Sequence, residues 1–311
     1  MSLYPRMITE YLATLAIPRG PDSKIYLVDT EEGDDDALGD RWTKPLKTLE
    51  AAEDKCVGDQ HDTVLFLARD TADGPTASIA WDKDYTHLIG LGPTLYGVGQ
   101  RCRVVMAAAT AATPVITFSG NGCIVKNMQF NQEKVAGAAS GVAIVTGQRC
   151  FFENVFFMVP AATDAASYSL KLSGGENVFL RCSIGQTTTV RTGASYGLWM
   201  YKGAGDNQRN KFVKCEFKSW ATAGTHVLVY VDVDINNECW TQQFEDCLFQ
   251  NLNGGADLAQ AIDDNCTATH QILLRGHNCF AGCTAIADDL VDILAADWAT
   301  AYHGGLMATA V

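Results

Sequence analysis

The sequence predicts an all-β chain wound as a parallel solenoid, and three observations predict it. The first is an apolar column, Phe130, Phe157, Ile184, Phe217, Phe249 and Phe280, recurring at spacings of 27, 27, 33, 32 and 31. Such a period belongs to repeat architectures. The second is that other columns keep step with it: Met128, Val155, Cys182, Cys215 and Cys247 two positions earlier, and Val125, Phe152, Phe179, Phe212 and Phe244 five positions earlier. The third is an upstream column, Phe118, Val145 and Leu172, each 12 residues before its partner.

Within each unit, an apolar spacing of two is strand periodicity. The spacing of three across the polar column Asn127, Asn154, Arg181, Lys214, Asp246 and His277 breaks that alternation, so a sharp turn is expected there. Asparagine tolerates the left-handed backbone of such a turn. Runs of four to six β-branched and aromatic residues, broken by Gly, Asn and Thr, exclude a helical repeat of similar period. Three short strands per unit make one coil. Cys182, Cys215 and Cys247 are expected to stack as small interior residues about 4.8 Å apart.

At the N-terminal side, an acidic loop at Gly33 to Asp36 precedes a helix expected over 46–56, with Pro45 at its start and Leu46, Leu49 and Ala52 on one face. A first strand follows at Thr63 to Leu67. Such a helix would cover the open end of the first coil, whose strand edges and core would otherwise be bare. After the last coil, Ile286, Leu290, Leu294 and Trp298 recur every four residues beside Asp288, Asp289, Asp292 and Asp297. This spacing predicts an amphipathic helix over 286–299. The resulting organisation is an N-terminal arm (1–24), a cap with its helix (25–60), seven to nine coils (61–283) and a C-terminal helical cap and tail (284–311).

These residues together resemble the right-handed parallel β-helix proteins of the pectin-lyase-like superfamily, over about residues 25 to 283. The resemblance specifies fold better than activity. Polygalacturonase-like chemistry would require NTD, DD, GHG and RxK motifs in successive coils. Here Asp263-Asp264 is followed by Gly276-His277, without a second glycine, an NTD or an RxK. A pectate-lyase-like site would need a calcium cluster with a basic proton acceptor, and Lys202 and Arg209 are the nearby bases.

Composition excludes several classes. A net charge of −13, with 23 basic and 36 acidic residues, opposes a phosphate backbone, so no nucleic-acid partner is expected. No apolar run approaches membrane-spanning length, and Pro5 and Glu10 interrupt any leader-like stretch, so we expect no signal peptide and synthesis in a host cytoplasm. The 11 cysteines are odd in number and read as free thiols. No CxxC, HxH or HxxxH spacing occurs, so neither a metal nor a cofactor is expected.

Coil length gives the functional pointer. Insertions at 201–209, 232–240 and 263–270 fall at one phase of consecutive units and should emerge on one face. That face carries Trp199, Tyr201 and Trp240 as candidate glycan or partner contacts, and Asp232, Asp234, Asp263 and Asp264 as the carboxylates an enzyme would use. Asp232 and Asp263 one coil apart would stand about 5–5.5 Å apart, as in retaining glycoside hydrolysis. The competing expectation is a non-catalytic structural solenoid. Residues 1–24 carry Ile8, Tyr11, Leu12 and Leu15 at helical spacing, a stretch too short to be stable alone and suited to assembly. With no catalytic signature, the chain is similar to virion proteins of tailed bacteriophages. That resemblance implies a homotrimeric capsid decoration on the virion surface, docked on other capsid proteins. The alternative it implies is a tailspike-like polysaccharide hydrolase or lyase, or a glycan-binding β-helix.

Overall fold

The computed structural model describes residues 17–92, 102–107, 113–133, 140–158, 166–201, 208–222, 226–232, 241–253, 257–265 and 272–287, with the backbone of 293–295. It is a right-handed parallel β-helix built of three sheets. The first sheet stacks ten strands: Ile25–Val28, Thr63–Leu67, His87–Leu91, Ile124–Lys126, Phe151–Glu153, Val178–Leu180, Lys211–Val213, Gln242–Glu245, Ile272–Arg275 and Ile293–Ala295. The second stacks seven, from Arg103–Met106 to Cys279–Ala281, and the third eight, from Ile79–Trp81 to Cys283–Ala287. Each coil runs third sheet, first sheet, second sheet, and every strand pairing is parallel, as in Phe152 with Val125 and Phe179.

The turn between the first and second sheets is where the polar column lies. Asn127, Asn154, Arg181, Lys214 and Asp246 all adopt φ between 53° and 58°. Asn154 Nδ2 donates to Asn127 Oδ1 at 2.9 Å, so the two amides stack across coils. In the last unit the left-handed residue is Gly276, φ 66°, rather than His277, because one extra residue enters before Cys279 pairs with Leu248. A second left-handed column, Arg149, Glu176 and Arg209, joins the third sheet to the first. Its charges alternate, and Glu176 accepts from both arginines.

Inside, the phenylalanine columns stack ring on ring. Phe212 lies 4.8 Å from Phe179 and 4.9 Å from Phe244, with rings within 9° of parallel. Phe217, Phe249 and Phe280 form a second stack at 4.8 and 4.6 Å. The thiols of Cys182, Cys215 and Cys247 donate to the carbonyls of Phe152, Phe179 and Phe212 at 3.3–3.5 Å, which gives these small core residues a polar function too. All nine described cysteines are free. Coil packing is tight at the corners: a Cβ on Gly174 would lie 1.9 Å from the Gly147 carbonyl oxygen.

The N-terminal helix spans Leu49–Lys55, shorter than the expected 46–56. Thr48 is its cap, accepting from the Ala51 amide, and Asp73 Oδ2 accepts from the Leu49 amide at 2.7 Å. Capping by side-chain oxygens fixes the start, so Leu46 stays extended and bridges to Val28. The acidic loop holds the approach through Asp35, which accepts from the amides of Lys47 and Thr48. At the base of the arm, Ile17 is buried against Leu27, Leu65 and Ile89 on the outer side of the first sheet.

Among the described residues, the helix expected over 286–299 is replaced by strands. Cys283–Ala287 is a strand of the third sheet, and Ile293–Ala295 pairs with Ile272–Leu274 as the tenth strand of the first. The open edge of the last coil offers a full row of backbone partners, and Ile-Leu-Ala meets it in extended form. Local four-residue spacing of apolar side chains is the weaker determinant there. Residues 288–292 and 296–311, including Leu290 and Trp298, lie outside the described residues.

His61 and His87 form a further internal contact, with His61 Nδ1 3.1 Å from His87 Nε2. The Ile124 amide donates to His87 Nδ1 at 3.2 Å. That bond places the proton of neutral His87 on Nε2, whence it donates to His61. Burial, with His61 adding to it, pulls the His87 pKa down to about 3.

Two stability predictions follow from this packing. Phe212→Ala should lower unfolding stability by about 3–5 kcal/mol, read as a fall in the urea midpoint. His87 is neutral in the fold but titrates near 6.5 when unfolded, so its contribution is complete above that pH and is lost as pH falls towards 3. Between pH 7 and 4.5 the intact protein should therefore lose about 2–3 kcal/mol more than His87→Gln does, measured by urea unfolding at both values.

Candidate functional site

The third sheet turns its outer face to solvent along four consecutive coils. Register pairs Lys171 with Trp199, Trp199 with Tyr230 and Tyr230 with Asp263, so these four form one row across the strands. All four are half-buried, whereas the next row, Leu172, Met200 and Val231, lies in the core. Period-two alternation produces this division.

Trp199 is the hub of an aromatic cluster. Its ring centroid lies 5.8 Å from Tyr168, 5.1 Å from Tyr196, 6.2 Å from Tyr230 and 6.4 Å from Tyr201. Tyr196 and Tyr230 stack at 4.3 Å. Gly141 makes room at one end, because a Cβ there would sit 2.2 Å from Tyr168 Cζ. The Lys171 ammonium lies 3.8 Å from the Trp199 ring centroid and 4.1 Å from that of Tyr201, within cation–π range. Burial lowers the Lys171 pKa, and the field of Asp232 opposes that shift.

Carboxylates border the rings. Trp199 Nε1–H donates to Asp232 Oδ2 at 3.0 Å, fixing both side chains. Asp263 accepts from Asn265 Nδ2 at 2.9 Å. The Tyr196 pKa is raised by burial first and then by the fields of Asp263 and Asp232, so both carboxylates act on one hydroxyl.

The expected direct stacking of Asp232 on Asp263 is corrected by the register. Asp263 stands opposite Tyr230, and the Asn265 amide bonds to the Val231 carbonyl, placing Asp232 beside Asn265. The two aspartates are thus diagonal neighbours, one strand and two residues apart, a backbone separation of about 8 Å. Asp264 opposes Val231 on the buried row and is 8% exposed. It stands apart from the outer row. Trp199, Tyr201, Asp232 and Asp263 come together as the insertion phase implied, since Met200, Val231 and Asp264 end their strands in register. Asp234 and Trp240, together with Ile8, Tyr11, Leu12 and Leu15, lie outside the described residues. Sequence reasoning missed Tyr168, Lys171, Tyr196 and Tyr230; extending the upstream strand column to its outward positions would have aligned Lys171, Trp199 and Tyr230.

Among the described residues, no group of three or more His, Cys, Asp or Glu is arranged to hold a metal ion. No helix there is long and apolar enough to cross a membrane.

A scan against protein-family models and a search of curated proteins each find no match. Solved structures do match. A pectate lyase, Pel9A, aligns with TM-score 0.55 and 14% identity over 90% of this chain and 74% of its own. A pectin methylesterase from Erwinia chrysanthemi aligns with TM-score 0.52 and 13% identity over 87% of this chain and 80% of its own. The Aspergillus niger pectin methylesterase gives 0.50 and 10%, over 93% and 94%. At such identities the likeness is one of fold, that of the parallel β-helix. The expectation of a non-catalytic protein is overturned by these neighbours, which are enzymes named for pectin and pectate.

The electrostatic influence of Asp232 on Lys171 is open to test. Because Asp232 supports the charged lysine, Asp232→Asn should move the Lys171 pKa further below its ordinary 10.5. NMR titration of the Lys171 side chain in both forms reads this directly.

Proposed function

We propose that the chain is a polysaccharide-acting enzyme that seats a glycan across the outer face of the third sheet and hydrolyses it. The observation that carries this reading is the Trp199-centred platform with Asp232 and Asp263 converging on it from adjacent coils. A sugar ring offers a C–H face to aromatic rings and a rim of hydroxyls to carboxylates, and this surface supplies both. The fold neighbours named for pectin and pectate support a polysaccharide as the substrate.

A backbone separation of about 8 Å between the two aspartates is compatible with an inverting reaction, in which the two carboxyl groups stand about 6.5–9.5 Å apart to leave room for a water beside the sugar. Asp232, held by the Trp199 indole, takes the proton of that water as its oxygen bonds to the anomeric carbon. Asp263, a carboxylate in the free protein that takes up a proton from solvent in the productive complex, gives that proton to the departing glycosidic oxygen as the carbon–oxygen bond breaks. Charge and atoms balance: one water is consumed, and a new reducing end and a new hydroxyl appear.

Reducing-end release from a polysaccharide panel tests this. Asp232→Asn and Asp263→Asn should each lower kcat by about 10²–10⁴-fold with the melting temperature unchanged, and Trp199→Ala should act mainly on KM. Full turnover by both Asn variants would reject the assignment. Assembly as a homotrimeric decoration of a virion surface is a separate proposal, resting on the sequence resemblance.

A further inference from the structure

We infer that the glycan taken by this face is neutral rather than anionic, an inference that rests on the function proposed above. A polyuronate presents a carboxylate on every sugar and needs cations to meet it. Among the described residues brought together on this face, Lys171 is the one cation. Its ammonium already lies over two ring faces, at 3.8 and 4.1 Å. Leaving them for a ligand carboxylate would uncover the aromatic surface it shields. Asp232 contributes to its electrostatic surroundings.

Around that single cation, Asp232 and Asp263 border the platform with negative charge, and both act on the Tyr196 hydroxyl. The chain as a whole carries −13. A polyanion is thus repelled both in approach and at contact. Neutral sugars meet the opposite conditions: each hydroxyl is a donor, the Asp232 carboxylate is an acceptor, and Asp263, once protonated, both accepts and donates.

The charge class also determines the chemistry. Eliminative cleavage removes a proton from the carbon beside a uronate carbonyl, and de-esterification needs a uronate ester. A neutral glycan has neither, so addition of water across the glycosidic bond is the reaction available to it. The charges of this face thereby separate the chain from the pectate and pectin enzymes that share its fold.

The test uses the full-length protein and its Trp199→Ala variant, first shown to melt at the same temperature. Affinity electrophoresis and calorimetry at low salt compare galactomannan, dextran and hydroxyethyl cellulose with polygalacturonate and alginate. At least one neutral polymer should bind ten-fold or more tightly than either polyanion, and Trp199→Ala should weaken that binding at least ten-fold. Trp199-dependent binding of polygalacturonate or alginate within ten-fold of the best neutral polymer would overturn the charge assignment and leave the proposed site standing. Absence of Trp199-dependent binding to any of the five would overturn the site itself, and this inference with it.

Discussion

Parallel pairing between coils is the constraint on which the rest of this structure depends. Each strand must lie about 4.8 Å above the equivalent strand of the coil before, so equivalent residues are forced into contact whatever their chemistry. A column position must therefore suit its own copies. Phenylalanine does so by stacking, as Phe152, Phe179, Phe212 and Phe244 show at 4.8–4.9 Å. Asparagine does so by amide bonding, as where Asn177 accepts from the Cys150 amide and Asn210 from the Asn177 amide. Charge can do so by alternation, as in Arg149, Glu176 and Arg209.

The same constraint builds the outer platform. Register places Lys171, Trp199, Tyr230 and Asp263 in one line, so a cation, two rings and a carboxylate come together without any loop having to fold over them. Rigid strands hold such groups more closely than loops do. The turn at the end of the strands then adds Tyr201 and Asp232 to the two ends of the Trp199 contact.

What could be read from the sequence was whatever repeats in phase. The phenylalanine, cysteine and turn columns were legible because each position is sampled five or six times. The face bearing Trp199, Tyr201, Asp232 and Asp263 was legible because insertions mark its phase. Three features were not. Helix and strand compete on local spacing near residue 290, and an unpaired sheet edge decides for the strand Ile293–Ala295, which spacing cannot show. Asp264 follows Asp263 in sequence, yet the period of two sends it to the buried row beside Val231. Lys171 belongs to a coil without an insertion, and its partnership with Trp199 exists only across the register.

Stability and the proposed function are thereby assigned to opposite sides of the same strands. Within Ser195–Met200, Leu198 and Met200 are fully buried, while Trp199 between them faces outward. The inner row cannot vary without opening a cavity that neighbouring coils, fixed by their own ladders, cannot close. The outer row packs only against its own surface neighbours and leaves no closed cavity when it changes. A β-helix can therefore exchange the charge of its outer row while its coils remain as they are. On that ground, a fold shared at 10–14% identity carries architecture between this chain and the pectate and pectin enzymes, and chemistry has to be argued from the site of each chain.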